Sequence, residues 1–176
     1  MNKNMKKYIV TSLTLCAIGA AAALIIAGTH LITKDRIEQN EIEKQEKALK
    51  EVFDNADSFS DKKDEFVISN HSYLQNYYIA YSQKVEIGYV YLVDGKNAYG
   101  EISLMVGITD AGIGQISIIT NTQTYGTTLE ENYITPYQNG TSSLDDVSCG
   151  ATYGAKLIQS MTKQANEDYL ARKEVK

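Results

Sequence analysis

The segment Asp146-Val147-Ser148-Cys149-Gly150-Ala151-Thr152 concentrates the residue types in this chain that could do chemistry. Gly150 has no side chain, so the backbone there can approach another group closely. Thr152 stands just before residues 155–166, which read as a helix, and the free N–H groups of a helix N-terminus favour an anion such as phosphate. The same threonine could instead cap that helix with its hydroxyl. Spacing alone favours the cap. Cys149 is a small thiol and, if exposed, open to oxidation.

The elements that must position these residues follow from composition and periodicity. The chain has 176 residues, enough for one ordinary domain and a short appendage. Residues 8–32 carry no charge, and as a helix these 25 residues would extend about 37 Å, enough to cross a hydrocarbon core of about 30 Å. The apolar run continues through Leu24-Ile25-Ile26 beyond the small residues Ala20–Ala23, which favours an uncleaved span over a signal peptide. Lys3, Lys6 and Lys7 precede it and Lys34 and Arg36 follow. A short basic start before a first span stays inside, which predicts a cytoplasmic segment 1–7, a transmembrane helix 8–32 and an extracytoplasmic remainder. Residues 33–55 form a mostly solvated helical stalk with a sparse stripe of Ile37, Ala48, Leu49, Val52 and Phe53. Residues 54–64 are turn-rich.

Beyond the stalk the pattern turns to strands, at residues 65–69, 77–82 and 85–93, with a hairpin at Asp94-Gly95-Lys96-Asn97. Ile102, Leu104, Val106 and Ile108 then alternate with Glu101, Ser103, Met105 and Gly107. A turn at Asp110-Ala111-Gly112 leads to a strand at 115–120, and the terminal helix turns Leu157, Ile158 and Met161 inward. The fold class is α+β: a membrane helix followed by a domain, 56–176, with a mainly antiparallel meander and flanking helices. Residues 34–176 carry 14 basic and 22 acidic side chains, and no basic stripe, which argues against nucleic-acid binding. Two distant cysteines exclude a disulfide scaffold, and two histidines make a multi-histidine metal centre improbable. No metal is expected.

With its span and its Asp146, Gly150, Ala151 and Thr152, the chain resembles the G subunits of the Rnf electron-transport complex and the related C subunits of the sodium-pumping NADH:quinone reductase. Their signature is Asp, two residues, Ser or Thr, then Gly-Ala-Thr; Cys149 stands where Ser or Thr is usual. The resemblance extends over Thr33-Lys34-Asp35-Arg36-Ile37-Glu38-Gln39-Asn40, Gly88-Tyr89, Gly100 and the run 106–112. Gln123-Thr124-Tyr125-Gly126 takes the place of a Glu-Thr-Pro-Gly stretch usually followed by Leu-Gly. Thr124 and Gly126 match there, while Gln123, Tyr125, Thr127 and Thr128 depart.

The resemblance implies FMN held by a phosphoester bond to Thr152, attached by a separate Mg-dependent flavin transferase that uses FAD and leaves AMP. Thr152 is then a modification site, and no residue is catalytic in its own right, since a threonine hydroxyl is a poor nucleophile. Asp146 serves the transferase, orients the loop or is merely solvated. Lys156 either neutralises phosphate charge or is solvated. Backbone around Gly126 and the Thr124 hydroxyl could contact the flavin, and tyrosines 89, 125, 133, 137 and 153 could edge or stack on the ring, though ordinary packing suits each as well. His71 reads as structural or exposed. The implied function is an electron-carrying subunit of a membrane complex that moves electrons between ferredoxin and NAD while translocating ions, with the complex's other membrane subunits as partners. A stand-alone membrane-anchored flavoprotein of extracellular electron transfer is the alternative. A non-redox surface module is a third reading, although the apolar run lacks the Gly-Phe and early glutamate of pilin-type segments.

Overall fold

In the computed structural model, which describes residues 3–175, the uncharged stretch lies within one helix, α1, Lys3–Val52. Met1, Asn2 and Lys176 lie outside the described residues, as do the side chains of Leu31, Asp35 and residues 3–5, including the Lys3 charge. The chain divides into two compact units, Met1–Glu43 and Lys44–Lys176. In the first, α1 is long and apolar enough to cross a membrane: its most apolar window has a mean hydropathy of 2.4, with none of it buried.

The second unit begins within α1. The stalk stripe leads to a buried end, because Ala48, Leu49 and Val52 pack with Phe53 against Tyr78, Val90, Leu92 and Met105. These sit on one face of a five-stranded antiparallel sheet ordered β1-β2-β3-β4-β5: Ser58–Phe59, Leu74–Ser82, Val85–Asn97, Gly100–Thr109 and Gly112–Asn121. Period-two alternation sends Tyr89, Tyr91 and Val93 of β3, and Ile102, Leu104, Val106 and Ile108 of β4, to the other face. There they meet the terminal helix α4, Thr152–Val175, through Leu157, Ile158, Met161, Ala165 and Tyr169. The meander, the turn at Asp110-Ala111 and the inward residues of the last helix are as the periodicity predicts.

Three local features differ from that expectation. Residues 65–69 are not a strand, and the fifth strand is the short edge pair Ser58–Phe59. The reason is that the N–H groups of Val67 and Ile68 are taken by the Asp168 carboxylate, at 2.6 and 3.2 Å, and so are lost to a ladder. The hairpin also turns later, at Ala98–Tyr99, because β3 continues through Asp94-Gly95-Lys96-Asn97. Gly95 is a packing position: a Cβ there would lie 2.6 Å from Met161 Sδ and 2.9 Å from Leu157 Cδ1, so a larger residue would have to displace these two side chains of α4. Finally, residues 126–138 are helical, as α2 (Gly126–Leu129), a π-helical turn (Glu130–Ile134) and α3 (Thr135–Gln138). Leu129 and Tyr133 bury one face of this segment, and from its far end Tyr137 donates to Ile113 O at 2.5 Å while Gln138 donates to Ile116 O. Those bonds cover carbonyls of β5, the open edge of the sheet.

Asp168 is fully buried on α4. Besides the two N–H groups, its carboxylate accepts from the Tyr91 hydroxyl at 3.0 Å and from Arg172 Nε at 2.6 Å. Arg172 in turn donates to the Tyr77 hydroxyl at 3.0 Å and to Glu65 O, and its guanidinium lies 3.9 Å from the Tyr77 ring centre. Burial opposes the Arg172 charge, but the Asp168 carboxylate outweighs it and the pKa rises. Burial first, and then the Asp168 charge, push the Tyr91 pKa well above its ordinary 10.0.

Two outcomes follow from this network. Asp168→Ala leaves a half-buried guanidinium and three donors without their acceptor, a loss of about 3 kcal/mol. The melting temperature of the full chain in detergent should fall by about 10 °C or more, read by circular dichroism. The second concerns alkali. An unfolded tyrosine releases its proton near pH 10.0, whereas folded Tyr91 retains it. Stability from this group is therefore complete below that pH and is lost as the pH rises beyond it. Urea midpoints should decline above pH 10, less steeply in Tyr91→Phe; equal slopes would contradict the assignment.

Candidate functional site

Three chain segments converge at the N-terminus of α4: the β3–β4 turn, the connection from β5 to α2, and the loop before Thr152. The last is built from short local bonds. Ser148 N–H donates to Asp146 Oδ1 at 3.2 Å, a turn closed by the aspartate side chain. Cys149 is buried, which shields the thiol from oxidation, and its carbonyl accepts from Asn132 at 3.3 Å. Gly150 has φ +84°, a left-handed conformation that favours glycine and turns the chain into the helix. Ala155 N–H then bonds Ala151 O at 3.0 Å, so Ala151 stands at the cap position and Thr152 is the first helical residue. Thr152 is half-buried, and among the described residues its hydroxyl makes no hydrogen bond. The reading of Thr152 as the helix cap thus has no bond behind it.

Gly150, Ala151 and Thr152 line a cavity of about 280 Å³ together with Tyr99, Gln123, Tyr125, Leu129, Tyr153 and Gly154. Thr124 and Gly126 line a neighbouring, more polar cavity of about 300 Å³ with Asn121 and Glu130; Gln123 and Tyr125 border both. Asp146, Cys149 and Lys156 line neither. Lys156 is exposed, one helical turn beyond Thr152, with no ion pair among the described residues. Thr124 is tied to the turn opposite, its N–H and Oγ1 both donating to Tyr99 O, at 2.9 and 3.1 Å. The Gly126 N–H bonds Gln123 O at 3.0 Å.

Of the tyrosines, Tyr125 and Tyr153 are exposed at the first cavity, at 58% and 66%. Tyr89, Tyr133 and Tyr137 belong to the packing: Tyr89 stacks with Tyr77 and Tyr91, and Tyr133 donates to Leu144 O at 2.5 Å. Burial raises the pKa of both Tyr133 and Tyr137, so both remain protonated donors. His71 packs its ring 5.0 Å from Phe66. Sequence reasoning missed Tyr99, Leu129, Gly154 and the buried Gln123, whose side chain donates to Gly100 O at 2.6 Å. Tyr99 was hidden because the hairpin was expected earlier. A Leu129 and Tyr133 pair at helical spacing was the available signal for the helix that carries Leu129. Among the described residues no cluster could hold a metal ion.

Residues 1–52 match the family model described as the RnfG N-terminal region. The matched stretch includes the apolar span and ends with α1. A comparison with curated proteins finds no match. A helix long and apolar enough to anchor the chain in a membrane lies within that matched stretch. Residues 1–52 are thus similar to the N-terminal region of RnfG, and the match supports an RnfG subunit.

Proposed function

We propose that this chain relays electrons through FMN carried on Thr152 by a phosphoester bond, within an Rnf-type complex that moves electrons between ferredoxin and NAD while translocating ions. The observation that carries the reading is the placement of an unengaged Thr152 hydroxyl in a cavity with Tyr99, Tyr125 and Tyr153. A polar attachment atom beside aromatic walls fits a phosphorylated group with a planar ring. The cavity is at the small end of ligand pockets, roughly 300–1,000 Å³, and the second cavity adjoins it at Gln123 and Tyr125. Bound there, a flavin would supply reversible electron acceptance, which no side chain of this chain offers.

The residues around it divide the remaining work. In maturation Thr152 Oγ1 forms the ester to the FMN phosphorus of FAD, the pyrophosphate bond breaks, and AMP leaves. A Mg-dependent flavin transferase supplies the base for the hydroxyl proton. The free N–H groups of the first turn of α4 and the Lys156 ammonium favour the phosphate charge. Gly150 and Ala151 give room at the attachment point. Cys149 replaces the usual hydroxyl residue by a buried thiol without opening the loop to oxidation. Asp146 holds the loop through Ser148 and is exposed to a transferase. Thr124 and Gly126 line the adjoining polar cavity and would offer hydrogen-bonding groups to the part of the cofactor that reaches it. Residues 8–32 anchor the chain with residues 1–7 in the cytoplasm and the domain, 56–176, outside. A covalent link suits that side of the membrane, where a lost FMN is not readily replaced.

The test is intact mass and in-gel fluorescence of denatured protein after export with a flavin transferase. The unsubstituted chain should gain one FMN less one water and give a fluorescent band, and Thr152→Ala should do neither. No gain, with the transferase active on another substrate, rejects the reading. Co-purification of the labelled chain with multi-span membrane subunits would separate a complex subunit from a stand-alone carrier.

A further inference from the structure

The aromatic side of the cavity is more organised than a chance exposure of tyrosines. The Tyr99 and Tyr153 rings are stacked, with centres 5.2 Å apart and planes 27° from parallel. They nonetheless remain 40% and 66% exposed, so the stack presents open ring surface beside Thr152. One side chain, Asn97, fixes both backbones: its Oδ1 accepts from Tyr99 N–H at 2.8 Å and its Nδ2 donates to Tyr153 O at 3.3 Å. Thr124 holds the Tyr99 carbonyl from the other side with two bonds. An exposed aromatic pair held from both sides by backbone bonds is prepared for a planar partner, since little ordering remains when one docks. Thr152 immediately precedes Tyr153, so a ring tethered at Thr152 lies within reach of the pair.

On the reading that Thr152 carries a flavin, we propose that the Tyr99–Tyr153 pair is the stacking platform for the flavin ring, and that Asn97 is the positioning residue which holds the pair together. The polar cavity lined by Thr124, Gly126 and Glu130 is the competing place for the ring. Its lining offers hydrogen-bonding edges but, apart from Tyr125, no aromatic face.

The experiment uses the full-length chain matured by the transferase, with flavin loading checked by intact mass. Flavin emission and visible circular dichroism are compared in Tyr153→Leu, Tyr153→Phe and Asn97→Ala. A tyrosine in contact quenches flavin emission, and a fixed chiral setting gives the flavin bands circular dichroism. Loaded Tyr153→Leu should emit several-fold more strongly and lose most of its visible circular dichroism. Tyr153→Phe should keep the circular dichroism, because the ring face is kept, and Asn97→Ala should lose part of it at unchanged mass. Should Tyr153→Leu fail to load, Tyr99→Leu gives the same comparison away from the attachment segment. A loaded leucine variant with unchanged emission and circular dichroism overturns the platform and sends the ring to the polar cavity. Absence of mass gain in the unsubstituted chain is a different result: it rejects the flavin reading itself, and the platform with it.

Discussion

The buried carboxylate of Asp168 is the constraint on which the placement of α4 depends. It lies on the terminal helix and accepts from the Val67 and Ile68 backbone, the Tyr91 hydroxyl and Arg172, so one side chain joins the helix to a loop and to the central strand β3. A buried ion pair adds little stability beyond what an apolar replacement would give, but it tolerates few alternative geometries. Thr152 lies 16 residues earlier on the same helix, about 24 Å along its axis. A helix is stiff over that length. Anchoring its C-terminal half, while Gly95 lets its middle press onto β3, therefore determines where its first turn meets the sheet.

At that first turn the scaffold hands over to loops. The β3–β4 turn, the connection after β5 and the loop 146–151 are each short of regular structure, and each is tied to a neighbouring segment by side-chain bonds to backbone. Asn97 joins the turn to α4, Thr124 joins the β5 connection to the turn, and Asn132 joins the helical segment to Cys149. Binding residues commonly lie on loops held by a rigid frame. Here the frame is the sheet, whose open β5 edge is covered by the side chains of Tyr137 and Gln138.

The sequence was most legible where one period dominates. Alternation from Ile102 to Ile108 defines β4 and its buried face, and Leu157, Ile158 and Met161 define the inward face of α4. It misled where a residue's usual role was overridden by tertiary contact. Gly95 suggested a turn, but its missing side chain makes room for Met161 and Leu157. Residues 65–69 have strand composition, yet a carboxylate a hundred positions away takes their N–H groups. Asp168 and Arg172, spaced one turn apart, were indistinguishable from a solvated pair because nothing local reveals that they face Tyr91 and Tyr77. At the site, the loop residues 149–152 were legible as a unit, whereas Tyr99 and Asn97 join them only through the late hairpin turn.

A shift of one residue at the start of α4 decides what Thr152 can do. A threonine at the cap position accepts a backbone N–H of the first turn with its hydroxyl oxygen, and its rotamer and one lone pair are then committed. In this chain the cap position belongs to Ala151, which has no hydroxyl, and the left-handed Gly150 before it turns the chain so that the helix begins at Thr152. The cost is a helix start without a side-chain cap, roughly 1 kcal/mol, in a domain whose buried polar side chains all find partners among the described residues. The gain is a hydroxyl in the cavity wall, beside the N–H groups of the first turn and a stacked aromatic pair, with no hydrogen bond of its own among the described residues. Helix stability alone would favour exchanging the two residues; the order Gly-Ala-Thr favours a threonine that remains available.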